Sequence, residues 1–201
     1  MSKYRGPRLR IVRRLGDLSS LTRKSPKRYI NPGQHGANRT KPTEFAYRLA
    51  EKQKLRFYYG ISEKQAIRYV KMAQKEKKST GKILIQSIEI RLDNIVHRLG
   101  WAPTLPAARQ IVNHGHILVN QKRVTIPSFV CSQSQSIAIQ DHKGIRRLVE
   151  KTFQDQEQNL PSHLSIDKKN IVAVVKRQAD RREISLDLNE LLIVEFYSNR
   201  L

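Results

Sequence analysis

The chain has 201 residues, with 39 Lys and Arg against 17 Asp and Glu, for a net charge of +22. Its 38% hydrophobic content supports modest cores, in one large or two small domains, and no apolar run approaches the ~20 residues of a membrane span. The single cysteine, Cys131, excludes an intrachain disulfide and a cysteine-type zinc site.

The charge is uneven: +13 over residues 1–60, +8 over 61–140 and +1 over 141–201. Such a field attracts nucleic acid, so the anion-binding surface is expected in the first two-thirds, with the last third chiefly scaffold. An anionic membrane is the competing partner, but no basic helix carries a wide apolar face. Residues 1–15 are basic without the apolar segment of a signal peptide, and read as mature protein.

Residues 1–42 form a basic, extended N-terminal arm. MSKYRGPRLRIVRRLGDL alternates Arg with Leu, Ile and Val, and predicts a short element when packed. Pro26, Pro32 and Pro42, with Gly33 and Gly36, then forbid a long helix. Such a segment orders its charge against RNA. The glycines of Asn31–Gly36 let backbone come close to phosphates.

Helices follow. One covers Thr43–Tyr59 and stops at Gly60. The next starts at Ser62 with Gln65 completing a capping box and Ile61 with Ala66 a hydrophobic staple; it carries a basic stripe of Arg68, Lys71 and Lys75, and dissolves in Lys-Glu-Lys-Lys-Ser-Thr-Gly, ending at Gly81. A third runs from about Ile83 to Leu99, because Ile85, Ile88, Leu92, Ile95, Val96 and Leu99 step by three or four; Arg91 and Asp93 fall on its polar side.

A Gly-Trp-Ala-Pro turn separates this from a short helix with Thr104 as N-cap and Pro106 in its first turn. Ala108, Ile111 and Val112 face a core while Arg109 and Gln110 stay exposed, and Gly115 fits the left-handed position after the helix. Ile117–Val119 and Val124–Ile126 alternate as two short strands, with Asn120 opening the turn between them. Further strands are expected at Ile137–Ile139, Leu164–Ile166 and Ile171–Val175, the last buried on both faces. Helices are expected over Gly144–Gln158 and Asp187–Tyr197, with Asp187 and Glu190 in the first turn of the latter.

Arg98, Arg109, Gln110, Asn113, His114 and His116 cluster at one helix–turn–strand corner, and Lys122 and Arg123 add charge at the hairpin tip. Arginine forks match phosphate oxygens two at a time. The two histidines lack further ligands for zinc, so no metal and no cofactor is expected.

The runs RLDNIVHRLG, ARQIVNHGHILVN and VTIPS resemble the RNA-binding module named after small-subunit ribosomal protein four. The opening YRGPRLRIVRRLG and the PGQHG run resemble the same ribosomal family, the opening its plastid branch. Two departures stand out: the hairpin tip is Asn120-Gln121 where the family usually has Asn-Gly, and Ala107 replaces a frequent acid.

The resemblance implies an α+β fold: a helical N-terminal domain over 43–88, completed by 186–201. Into it is inserted an RNA-binding domain over 89–185, with core motif 89–152, of short helices on a small, mainly antiparallel sheet. It implies a primary binder of 16S-type ribosomal RNA that nucleates assembly of the subunit body and contributes to accuracy. It also implies small-subunit protein five as a neighbour and the chloroplast stroma as location, the bacterial cytoplasm being the alternative. The candidate RNA ligands are Arg5, Arg8, Arg10, Arg13, Arg14, Gln34, His35, Arg48, Lys52, Arg56, Arg68, Thr104 and Asn120, together with the corner residues and hairpin tip above.

One triplet argues for an enzyme. Arg91-Leu92-Asp93 is similar to the Arg-Leu-Asp of pseudouridine synthases, whose Asp is a nucleophile. Here it lies inside the binding module, and the second domain of such an enzyme is missing, so Asp93 is expected to pair with a nearby arginine. No small-molecule substrate and no membrane partner is expected. The alternative is a free-standing RNA-binding factor or an accessory to RNA modification.

Overall fold

The computed structural model describes residues 4–38, 41–154, 160–167, 171–184 and 186–198. In chain order the helices are α1 (Arg8–Leu15), α2 (Glu44–Tyr58), α3 (Glu63–Gln74), α4 (Thr80–Glu89), α5 (Leu92–Arg98), α6 (Leu105–Asn113), α7 (Lys143–Gln154) and α8 (Glu190–Ser198). The strands are β1 (Ile117–Val119), β2 (Lys122–Arg123), β3 (Ser136–Ile139), β4 (Leu164–Asp167) and β5 (Val172–Val175). The chain forms two compact units, Met1–Leu84 with Leu186–Leu201, and Ile85–Ser185.

The first unit is helical. Thr43 Oγ1 accepts from Ala46 N–H and starts α2, and Ser62 with Gln65 closes a capping box at α3. Antiparallel to α2 lies α8, with Phe45 and Phe196 ring centres 5.9 Å apart and Arg48 Nε donating to Glu195 Oε2 at 2.9 Å. Leu55, Tyr58, Val70, Ile193 and Phe196 supply the core. Lys52 is only 5% exposed; its ammonium donates to Glu63 Oε2 at 2.9 Å and sits 4.7 Å from the centre of the Phe196 ring. Arg56 lies 3.0 Å from the same carboxylate, and Tyr197 Oη donates to its other oxygen. Burial alone would raise the Glu63 pKa; the Lys52 bond and charge, the Tyr197 hydroxyl and the Arg56 charge together hold it below the usual range.

Two expectations are corrected in this unit. The second helix stops at Gln74, and Gly81 lies in the first turn of α4 instead of ending its predecessor. The last helix starts at Glu190, not Asp187, because Asn189 Oδ1 accepts from the backbone of Leu191 and Leu192 at 3.1 and 3.5 Å and so caps it. The short element expected at the basic start of the arm is α1, which turns Ile11 and Val12 inward.

The second unit packs α5, α6 and α7 with a five-stranded, wholly antiparallel sheet of order β2-β1-β3-β5-β4. Its core joins Leu92, Val96, Trp101, Val112, Ile117, Ile137, Val149 and Ala173. Here the expected long helix is two. Arg91 has extended backbone (φ −71°, ψ 141°) and bridges Val130. Leu92 N–H then donates to Phe129 O at 2.8 Å and Asp93 N–H to Pro127 O at 3.1 Å. Carbonyls from a distant segment thus replace the helical acceptors of α4.

That segment also explains a strand that does not form. Residues 124–126 leave the hairpin after Val124 N–H bonds Ile117 O at 3.1 Å, so β2 is only Lys122–Arg123. In β5, inward Ala173 and Val175 alternate with half-buried Val172 and Val174, so one face is buried, not both. Ile171 lies outside it with φ 53°. Helix α7 runs to Gln154; the rest of the expected span lies outside the described residues.

Candidate RNA interface

The site in the second unit has an inner and an outer layer. The inner layer is a buried ionic hub. Glu89, Arg91 and Asp93 are each 1% exposed and Asn94 is 2% exposed. Arg91 grips Asp93 with two bonds, Nε to Oδ1 at 3.1 Å and Nη2 to Oδ2 at 2.9 Å. Arg109, from α6, places Nε 3.2 Å from Asp93 Oδ2. Arg98 Nη2 donates to Glu89 Oε1 at 2.7 Å, and Asn94 Nδ2 donates to Glu89 O at 3.2 Å.

Three guanidinium groups therefore meet two carboxylates, locking the start of α5 to α6. The Asp93 carboxylate is buried and shared by two arginines, the pairing expected for it. Nearby Cys131 is equally closed off: burial first, then the Asp93 charge, pushes its thiol pKa up to about 12.

The outer layer stands on the end of α6. Gly115 has φ 77°, and a Cβ there would strike the Arg123 guanidinium. Glycine thus lets the hairpin fold back and lets Arg123 Nη2 donate to His114 O at 3.0 Å, completing a carbonyl at the helix end. Asn120 and Gln121 both sit left-handed, at φ 48° and 64°, as a two-residue primed turn requires. The absent glycine is offset by Asn120 Oδ1, which accepts from Ser136 N–H at 2.9 Å on β3.

One outer-layer residue was not foreseen. His142, just before α7, joins His114 and His116, with ring centres 6.0 and 5.7 Å apart along the row. It is brought there by Gln140 N–H donating to His116 O at 2.8 Å, a link across the sheet with no local sequence signal. Burial first, then the charges of His142, His114 and Arg123, lowers the His116 pKa below its ordinary value. His116 is therefore neutral near pH 7. Among the described residues no group of three or more His, Cys, Asp or Glu is placed to hold a metal ion, and no helix is long and apolar enough to cross a membrane.

Comparison with known proteins adds the decisive observation. Residues 3–89 match the ribosomal protein S4/S9 N-terminal domain and residues 90–137 match the S4 domain. The small ribosomal subunit protein uS4 of Thermosynechococcus vestitus is 55% identical over 201 residues, covering 100% of both chains. Proteins named uS4c from Rhodomonas salina and Pyropia yezoensis are 55% and 53% identical over the same full lengths. The chain belongs to the small ribosomal subunit protein uS4 family.

Within this chain the expected ligands divide. Gln110, Asn113, His114, Asn120, Lys122 and Arg123 are exposed on the corner, and His116 and Thr104 are half-buried. Thr104 starts α6 by backbone alone, its carbonyl accepting from Ala108 N–H at 3.0 Å. In the first unit Arg5, Arg8, Arg10, Arg14, Gln34, His35 and Arg68 are exposed. Arg8 also donates to Leu21 O at 3.2 Å, and Arg13 holds Ile30 O at 2.8 Å.

Five basic residues are instead committed to carboxylates: Arg48 to Glu44 and Glu195, Lys52 and Arg56 to Glu63, Arg98 to Glu89, and Arg109 to Asp93. Arg109 was expected in solvent; its side chain is 11% exposed, because Asp93 needs its charge. The same holds for Arg91 and Asp93, expected on a polar helix face and found in the core. A sequence hint was available: three charges, Glu89, Arg91 and Asp93, interrupt an apolar period within five residues.

Proposed function

We propose that this chain is a structural protein of the small ribosomal subunit that binds the subunit's RNA directly and performs no reaction on it. One observation carries this reading: a chain aligned end to end with uS4 proteins presents an exposed basic corner, His114, Lys122 and Arg123, on a rigid ionic hub. Cations on such a corner meet phosphates. These contacts fix position and orientation while reading shape more than base sequence. The 16S-type RNA is the partner, and small-subunit protein five is the proposed protein neighbour. Binding early, such a body would hold RNA helices at fixed angles, which is the proposed route to subunit assembly and accuracy.

The uS4c relatives support the plastid stroma as location, with cyanobacterial relatives at equal identity supporting the bacterial cytoplasm as the alternative. Sedimentation tests the main reading. A structural protein stays with the small subunit through a high-salt wash. Release of the chain into the supernatant with the loosely bound factors would make it a free-standing factor. Turnover of uridine in treated RNA would make it an enzyme.

A further inference from the structure

Tyr29 is the most exposed large hydrophobic side chain among the described residues, at 81%, and Ile30 beside it is 56% exposed. Single exposed apolar residues are ordinary on protein surfaces. What sets Tyr29 apart is the backbone that carries it. Arg13 reaches out of α1 and clamps the next two residues, with Nε donating to Ile30 O at 2.8 Å and Nη2 to Asn31 O at 3.3 Å.

Beyond that clamp the chain folds back on itself. Gly36 N–H donates to Gly33 O at 3.2 Å, and a Cβ at Gly36 would strike the Asn31 carbonyl. An aromatic ring is thus presented to solvent from a backbone tied down at both Ile30 and Asn31. The charge around it is of one sign. Between Asp17 and Glu44 the sequence has six Lys and Arg and no acid, and Lys24, Lys27 and Arg28 are exposed.

We propose that Tyr29 is a stacking platform for one unpaired base of the bound RNA, with Lys27 and Arg28 meeting the phosphates on either side of it. Aromatic faces stack on bases of any identity, and flanking cations follow the backbone; together they suit a single-stranded bulge or loop. A protein partner for the same ring would need acids to answer three cations. The inference rests on the proposed RNA-binding function and names a site within it.

The test uses full-length chain, small-subunit RNA and three proteins: the wild type, Tyr29→Ala and Tyr29→Phe. Affinity is measured across a salt series, and the bound RNA is probed with a base-reactive reagent. Tyr29→Ala should weaken binding about tenfold, within the range for one stacked base, with the salt slope unchanged. One unpaired base protected by the wild type should become reactive, and Tyr29→Phe should restore both affinity and protection.

Equal affinity and equal protection with Tyr29→Ala would overturn the proposal, as would a Tyr29→Phe protein as weak as Tyr29→Ala. Undiminished RNA binding combined with loss of Tyr29→Ala from assembled subunits would assign the ring to a protein neighbour and also overturn it. A wild type that ignores the RNA would sink the proposed function itself, whereas failure confined to Tyr29 leaves that function standing.

Discussion

The buried hub and the exposed corner are made of the same residue types, lie within one unit, and do opposite work. Arg91, Arg98 and Arg109 spend their charge on Asp93 and Glu89. Lys122 and Arg123 keep theirs at the surface, beside the exposed His114. The difference lies in the acids. The hub supplies two buried carboxylates to three guanidinium groups, whereas residues 94–140 contain no Asp or Glu at all. An arginine-rich run is therefore not by itself an RNA interface, and the carboxylates decide which arginines belong to the fold.

The largest expected effect comes from breaking the hub. Asp93→Ala leaves Arg91 and Arg109 facing each other without their shared partner. Removing one side of a buried ion pair costs about 3–5 kcal/mol. Denaturant unfolding should show that loss, and RNA binding should fall with it. If stability holds, the hub is not the support claimed here.

Arg109→Ala should cost less, about 1.5–3 kcal/mol, the range for a polar contact to a charged group, because Arg91 still covers Asp93. Its salt slope for RNA should stay near that of the wild type. A slope reduced by a whole phosphate contact would return Arg109 to the interface. Gly115→Ala should be of similar size, ~1–3 kcal/mol for a non-glycine residue forced left-handed. It should also displace Arg123, so RNA affinity falls beyond the change in stability.

The smallest effect is the pH dependence of the histidine row. The folded His116 pKa lies below its unfolded value. Its neutral form thus contributes stability that is complete above the unfolded pKa, near ~6.5, and is lost as pH falls through the folded value. Phosphate contact has the opposite sign, since it favours the charged ring. RNA binding should therefore tighten, with proton uptake, as pH falls toward the lowered folded pKa, while the free protein loses stability. His116→Gln should flatten both trends. An unchanged pH profile would remove His116 from the interface.

Much of this division was legible, and the illegible part has a definite physical cause. The capping box of Ser62 and Gln65, the glycine at 115 and the apolar stripe of α6 depend on residues a turn apart. The break at Arg91 does not. Ile85, Ile88, Leu92 and Ile95 stay in helical phase across it, while the interruption comes from Phe129 and Pro127 far along the chain. Placing Arg109 in solvent failed for the same reason, since its partner lies in another helix. His142 reaches the corner only through sheet pairing of β1 with β3. By contrast the corner residues His114, Lys122 and Arg123 were identifiable at once, because a turn brings them together within ten residues.

The contrast between the two layers is tested most directly by a salt titration of RNA binding with the double variant Lys122→Ala/Arg123→Ala. Two lost phosphate contacts should lower the magnitude of the slope of log affinity against log salt by about two, with unfolding close to that of the wild type. An unchanged slope in a folded double variant would contradict the placement of the RNA on this corner.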